Sequence, residues 1–424
     1  MITNLRLANF KNFADESLVV GPFTVIVGAN ASGKSNIRDA FRFLHGIGRG
    51  YTLAEILGGR YGAGGQAEWN GIRGAADEIM RFEQPAMGMQ VRLRSADEPW
   101  PTHDFWYRLW MASTNEAGFV VTGEALTVMG FRNAQATYTS HPAEGDPVRA
   151  QGDETHLLLR MEKARNQRKF GHRLAVRPAQ PAITQLGEHK RALRRHKEEA
   201  SKVVKVLGDM RFLEPAPDRM RQPAFPGQTV LGDSGDNLPT VLRKLCEDPA
   251  RRETLLEWTR ELTPMDVADF DFPIDPTTGW VQLAIKERDG RTVSAYSASD
   301  GTLRFLAMLA TLLDDDTSGL HFFEEIDNGI HPSRLRLLVD LIESRTKEKD
   351  IQVVTTTHSP ELLAMVNDST FGNTSVVCRR PDRGDAVIRR IADLPNAEEL
   401  RRTQGLNRLH MSGWLEDAVY FEEE

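Results

Sequence analysis

The sequence predicts an α/β fold, on three observations. A buried-strand run, FTVIVG at 23–28, enters the glycine-rich loop GANASGKSN at 28–36, and the loop leads into a segment with Ile37, Ala40, Phe41 and Leu44 at helical spacing. A second short apolar run at 320–323 delivers the paired carboxylates Glu324 and Glu325. A third, IQVVTTT, ends in His358 ahead of a helix that Ser359 can cap and Pro360 can start. Short buried strands that each release polar residues before a helix are the pattern of a sheet whose chemistry gathers along one edge.

The first element carries the most specific spacing. Gly28, four intervening residues and then Gly33-Lys34-Ser35 form a P-loop pattern, in which glycines let the backbone curl so that several N–H groups face a phosphate. Gly28, Asn30, Ser32, Gly33, Lys34, Ser35 and Asn36 are the candidate phosphate-lining residues. Lys34 is expected to reach the β- and γ-phosphates of ATP, and Ser35 to ligand Mg²⁺. The second element supplies what such a loop needs next. Glu324 is expected to hold the Mg²⁺, through water, and Glu325 to orient or deprotonate an attacking water. His358, at the same sheet edge, is expected to contact the γ-phosphate. A fourth stretch, SASDGTLRFLAMLATLL at 297–313, opens an apolar helix with Ser299, Asp300 and Gly301, whose hydroxyl and N–H groups make an anion site. With one phosphate cradle already present, a second is most useful to the nucleotide of another subunit.

Bulk properties narrow the class. The 424 residues allow about two or three core-forming units, and 40% hydrophobic with 27% charged residues is a globular composition. The apolar run FLAMLATLL at 305–313 falls far short of a membrane span, and MITNLRLANFKNF has no signal-peptide core, so the expectation is a cytoplasmic protein without a membrane partner. Cys246 and Cys378 form neither a CxxC metal motif nor a disulfide framework and are expected to be buried small hydrophobes. Net charge is −7, yet 160–221 carries 17 Lys/Arg against 7 Asp/Glu. That basic segment is helical by propensity over 186–210 and then turns proline-rich in EPAPDRMRQPAFPG. It reads equally as a solvated helical face docked by its Leu and Val residues and as a surface for nucleic acid or an acidic partner.

Taken in order, NLRLANFKNF, GANASGKSN, SGDNLPTVLRKL, SDGTLRFLAML, EEIDNGIHP and TTTHSPELL resemble the ABC-type ATPase heads of the SMC/RecF group. More closely, the chain looks like the stand-alone predicted ATPases related to the overcoming-lysogenisation-defect (OLD) family. The resemblance implies an ATP-dependent head-to-tail homodimer, or a higher even-numbered oligomer, in which Ser299 and Gly301 of one protomer close over ATP held by Lys34 of the other. Asp327 and Asn328 would lie in the loop that crosses to the partner site. It also implies a bacterial antiphage role beside a separately encoded nuclease or toxin effector. A RecF- or SMC-like factor for DNA repair or chromosome maintenance is the alternative from the same fold, and an ATP-bound scaffold that sequesters a partner is the alternative from another class. One departure stands out: the Glu-Glu-Pro-Glu common in the family is Glu324-Glu325-Ile326-Asp327 here, with the two leading carboxylates kept. The γ-phosphate-sensing glutamine of related heads has Gln66 as its nearest candidate, which also reads as a plain loop residue.

The expected organisation is an N-terminal ATPase lobe over 1–150 with the P-loop and an antiparallel sheet. A basic helical insertion follows over 151–230, and a C-terminal lobe over 231–424 carries the Ser-Asp-Gly turn, acidic strand and histidine. Short β runs at 89–131 fit that sheet, with Trp100, Trp106 and Trp110 read as core packing. The insertion is too short for a long coiled coil and has no Cys-x-x-Cys hook. The 66 residues after His358 are too few for a fused acidic nuclease domain.

Overall fold

The structure, a computed structural model, describes residues 1–65, 67–74, 78–82, 84–94, 104–114, 118–129, 134–140, 152–153, 156–161, 173–314, 318–380 and 384–421. Its core is a run of five parallel strands in the order Ser375–Arg379, Phe23–Val27, Ile351–Thr357, Gly319–Phe323, Arg211–Leu213. Phe23–Val27 and Ile351–Thr357 are buried throughout, as near-continuous β-branched and aromatic runs must be when both faces of a sheet are covered. The register aligns Val27 with Thr357, Phe323 with Thr355, and Leu213 with Phe323. Gly28, His358, Glu324 and Glu214 therefore leave the sheet at one shared carboxyl edge.

Beyond this core, Ala386–Arg390 runs antiparallel to Ser375–Arg379, and Phe13–Val19 meets it in parallel at the single pair Phe13 and Ala386. From there Ile2–Phe10, Ala86–Arg94, Asp104–Thr114, Gly118–Met129, Ala134–Ser140 and His156–Met161 continue as an antiparallel wing. Core and wing form one sheet of 15 strands among the described residues, the mixed sheet with an antiparallel part that the sequence predicts. Trp110 is exposed and not part of the core as expected: it lies across Gly88, where an added Cβ would sit 1.9 Å from the ring, so the indole covers a bare patch of sheet. Trp100 lies outside the described residues.

The two faces bury separate cores. Ile26, Phe322 and Val354 point to the face of the P-loop helix Lys34–Gly48, with its Ile37, Phe41 and Leu44. Val25, Val27, Phe323 and Val353 point to the other face, against Leu303, Leu306 and Leu309 of the helix Asp300–Leu312. The period-2 alternation of each strand thus assigns the two helices to opposite sides.

Within 151–230 the described residues join wing to core. Arg173–Val176 pairs with His156–Met161, and Arg211–Leu213 is the edge strand of the parallel run. The helix expected over 186–210 begins at Arg194, because Gly187 and the bond from the Arg191 N–H to the His189 ring hold the preceding residues in turns. The helix Arg194–Gly208 docks on the P-loop helix through His196, Ala200, Val203 and Leu207, and a Cβ on Gly48 would lie 2.1 Å from the Gly208 nitrogen. Its basic face is partly neutralised along its own length by Arg194–Glu198 at 2.6 Å and Arg195–Glu199 at 2.7 Å. Both cysteines are buried, as expected. No helix among the described residues is long and apolar enough to cross a membrane.

Besides His196, two further imidazoles are buried. His45 donates its Nδ1 proton to the Leu207 carbonyl at 3.1 Å, and His321 on the acidic strand has neither ring nitrogen hydrogen-bonded. Burial pushes both down from 6.5 to about 4. The unfolded chain then takes up protons that the folded one refuses, so stability is full above pH 6.5 and falls as pH drops towards 4. The expected loss is about 3 kcal/mol per imidazole. Urea unfolding at pH 7 and pH 4.5 checks this: His321→Leu should shrink the pH dependence, and an unchanged slope would refute the assignment.

Candidate functional site

The P-loop is held by contacts that specify its residues. A Cβ on Gly28 would approach the Val377 carbonyl oxygen to 2.3 Å, and Gly33 caps the following helix at φ 119°, where a side chain is strained. Ala31 accepts a φ of 62° between them. Lys34 folds back into the loop, its Nζ donating to the Gly28 carbonyl at 2.6 Å and the Ala29 carbonyl at 2.8 Å. Burial pushes its ammonium pKa down, while Glu325, Asp327 and Glu324 pull it back up. Ser32 Oγ is buried with no hydrogen-bond partner, and Asn30 is exposed on the loop's outer side. Asn36 donates to Asn12 Oδ1 at 2.7 Å, tying the loop to the NFKNF hairpin tip.

The acidic strand closes on this loop. Ser35 Oγ donates to Glu324 Oε1 at 2.9 Å across 289 positions of sequence. Glu324 is flanked by two guanidiniums: Arg38 Nε lies 3.5 Å from Oε2 and Arg73 Nη1 3.7 Å from Oε1. Glu325 sits at φ 49°, a left-handed conformation uncommon for a glutamate, and its N–H donates to Thr356 Oγ1 at 3.1 Å. His358 Nδ1 lies 3.8 Å from Glu325 Oε1, and both side chains are open to solvent. Asp327 Oδ1 is buried without a hydrogen-bond partner, and Asn328 lines a cleft of about 850 Å³ with Glu324 and Glu325.

Lys34, Ser35, Glu324, Glu325, Asp327 and His358 are thus brought together. Ser299, Asp300 and Gly301 are not. Ser299 caps its helix by accepting from the Thr302 N–H at 3.2 Å, and with Gly301 it lines a separate hollow of about 430 Å³ beside His331 and Arg334. Asp300 turns away to Arg221, 2.5 Å from it. Gly301 abuts the acidic loop so closely that a Cβ would lie 2.3 Å from the Gly329 oxygen. Gln66 lies outside the described residues.

Sequence reasoning missed four participants, of which Arg38, already placed beside Glu324, is one. Arg73 donates to the Ser35 carbonyl at 2.8 Å as well as facing Glu324, and Asp39 binds both Arg73 and Lys11. Lys11 had a signal in the NFKNF tip and Asp39 in its place one turn after Ser35; Arg73 had none.

The donor set fits Mg²⁺ and a nucleotide phosphate. A serine hydroxyl and one carboxylate are hard oxygen ligands, and Mg²⁺ takes few protein ligands because phosphates and water complete its shell. No group of three or more His, Cys, Asp or Glu able to hold a metal occurs among the described residues. The unpartnered Ser32 hydroxyl suits a phosphate oxygen.

Comparison with known proteins gives three kinds of similarity. A family model described as "AAA domain, putative AbiEii toxin, Type IV TA system" matches residues 23–84 and 155–364, segments that hold the P-loop, the Ser299 turn, the acidic strand and His358. The chain is 32% identical over 87 residues to the chromosome partition protein Smc of Aquifex aeolicus (strain VF5), covering 20% of this chain and 8% of that protein. It is 29% identical over 111 residues to an ATP/GTP phosphatase of Helicobacter pylori (strain ATCC 700392 / 26695), covering 24% of this chain and 30% of that protein. The chain therefore spans less than a third of either curated relative. Among solved structures, an SMC head bound to the C-winged helix domain of ScpA aligns over 92% of this chain and 96% of that one, with 13% identity and a TM-score of 0.49.

Glu324→Gln would remove the carboxylate expected to hold the metal while leaving an oxygen for Ser35. A charge-assisted contact is worth about 1.5–3 kcal/mol, so Mn²⁺ affinity in the presence of ATP should fall about tenfold or more. Electron paramagnetic resonance of free Mn²⁺ measures it, with Asp340→Asn as a remote control; equal affinity in parent and variant would remove Glu324 from the metal site.

Proposed function

Because the chain belongs to the AAA-domain family whose model it matches, we propose that it is an ATP-binding and ATP-hydrolysing switch that works as a head-to-tail dimer. The observation that carries this reading is the Ser35–Glu324 bond, which seats a P-loop serine on the acidic strand with Glu325 and His358 alongside.

The chain's own residues divide the work. Lys34 exchanges the Gly28 and Ala29 carbonyls for the β- and γ-phosphate oxygens, trading neutral acceptors for charged ones. Mg²⁺, when bound, neutralises phosphate charge, with Ser35 and Glu324 as its protein ligands. Glu325 orients the attacking water and accepts its proton, its backbone pinned by Thr356. His358 faces the γ-phosphate from the neighbouring strand and senses its presence. Asp327 and Asn328 extend the acidic loop towards a second protomer.

Sidedness supports the dimer. The Ser299 hollow offers a hydroxyl, a helix N-terminus and Arg334, all suited to an anion, on the sheet face opposite the P-loop helix. Ser299 and Gly301 of one protomer therefore complete the site built on Lys34 of the other, giving two composite sites. ATP closes the pair and hydrolysis reopens it. The toxin–antitoxin wording of the family description supports a bacterial defence role in which closure controls a separately encoded nuclease or toxin. A second reading, chromosome maintenance or DNA repair, is favoured by the identity to Smc over 87 residues.

Native mass with and without ATP tests the switch. Glu325→Gln should hold the ATP-bound dimer, since the phosphate contacts remain and the water-activating carboxylate is gone; turnover at the parental rate would remove Glu325 from the chemistry. Ser299→Arg and Lys34→Ala proteins, each inactive alone, should regain turnover when mixed, because one composite site then keeps both halves. No recovery at any ratio, with subunit exchange verified, would refute the shared site.

A further inference from the structure

The proline-rich stretch EPAPDRMR has no place in the chemistry above, yet it touches both halves of it. The P-loop helix and the Ser299 helix pack on opposite faces of the sheet, so side chains of the two cannot meet through it. Residues 214–221 pass around the edge strand from one side to the other. Phe212, just before them, belongs to the P-loop face, whereas Leu213 and Met220 belong to the opposite one. We infer that residues 214–221 form a strap that ties the P-loop helix to the Ser299–Gly301 turn of the same chain, and that Arg221 is the positioning residue for that turn.

Both ends are anchored. At the first, Glu214 Oε2 accepts from Arg38 Nη2 at 2.6 Å, and Arg38 also faces Glu324 at 3.5 Å, so the strap begins beside the metal-site carboxylate. Two backbone bonds knit its start to the next loop: the Glu214 N–H donates to the Asp233 carbonyl at 2.8 Å and the Ala216 N–H to the Ser234 carbonyl at 3.0 Å. Arg42, one turn beyond Arg38, holds Asp233 at 3.0 Å, which adds a second tie to the P-loop helix. At the far end, Arg221 Nη2 donates to the Ala298 carbonyl at 3.1 Å and to Asp300 Oδ1 at 2.5 Å. These contacts bracket Ser299 on both sides.

The strap is built to transmit rather than absorb displacement. Pro215 and Pro217 fix φ at two of its eight positions, and Pro217–Met220 form a helical turn. Arg221 is largely buried, at 18% exposure, and its fork binds a backbone carbonyl as well as a carboxylate, so it fixes the entry into the helix and does not merely pair a surface charge. In a head-to-tail dimer the P-loop and the Ser299 turn of one chain serve different nucleotides, so the strap would carry the state of one composite site to the other. The inference rests on the nucleotide reading above.

Hydrogen exchange on the full chain with Mg²⁺ and ATPγS tests it, at a concentration where native mass shows monomer. In the parent, ATPγS should slow exchange at amides 33–37 and, through the strap, at 299–303 by about fivefold or more, the lower end of typical coupling. Arg221→Ala should keep the first effect and reduce the second to less than about twofold, Arg221→Lys should restore part of it, and Glu214→Gln should lose it from the other end. A 299–303 response that survives in Arg221→Ala and Glu214→Gln overturns the strap, as does a parent in which 33–37 responds and 299–303 does not. Silence at 33–37 in the parent means that the nucleotide reading itself has failed, and the strap falls with it. If Arg221→Ala does not fold, the lysine and Glu214→Gln variants decide.

Discussion

The hydrogen bond from Ser35 to Glu324 joins the two parts of the chain on which the site depends, the start of the P-loop helix and the end of the acidic strand, 289 positions apart. A bond to a charged group is worth about 1.5–3 kcal/mol, too little to hold a sheet of this size in register. What holds it is burial: Phe23–Val27 and Ile351–Thr357 have no exposed residue, and a slip by one would turn every side chain to the wrong face. The bond is thus the result of the register and a measure of it. Ile351–Thr357 lies between the strands that carry the two partners, so the whole parallel run must be in place for the contact to form.

The parts of this arrangement that were legible in the sequence are those with a local signature. FTVIVG, the P-loop spacing and the helix after it announce themselves within 25 residues, and Ser359 caps its helix as its position predicts; Ser299 spends its hydroxyl on capping as well, where the sequence suggested an anion contact. The parallel order of the strands was legible as a class, because their polar residues all fall at the same ends. Arg73, Arg38 and Glu214 were not legible. Each is a single charged residue whose partner lies 34 to 286 positions away, and no periodicity marks such a pair. The excess of basic residues at 160–221 was legible as charge, but its partial cancellation by Glu198 and Glu199 was a matter of spacing that a charge count discards.

Costs accumulate at the carboxyl edge. Glu325 takes a left-handed backbone, worth about 1–3 kcal/mol of strain, while Ser32 and Asp327 each leave a buried oxygen unpaired. An unpaired buried group alone does not mark a site, since His321 is another, in the middle of a strand. What separates the two cases is company. His321 is buried with a single arginine, Arg211, in electrostatic reach, whereas Asp327 and Glu325 sit within reach of a lysine whose own charge is disfavoured by burial. A phosphate oxygen arriving there would meet donors and cations already gathered and only partly satisfied.

The position of Gly301 decides how the two halves of the site can respond to one another. Its hydrogen occupies the one gap against the Gly329 carbonyl, and the distance left for a Cβ is 2.3 Å, so the Ser299 turn and the acidic loop share a wall with no slack. Residues 324–329 run from Glu324 to that wall in six positions, and Glu325 follows with its backbone already strained. A change of geometry at Glu324 cannot be taken up by compression at Gly329, because packed interiors yield little; the wall resists it, and the proposed strap ending at Arg221 is left as the path that reaches the turn. The face that carries Lys34 and the face that carries Ser299 are therefore separated by a sheet yet joined at its edge, and a proposed dimer with two shared sites needs that combination: separation, so that each face meets a different nucleotide, and a stiff edge, so that neither face moves alone.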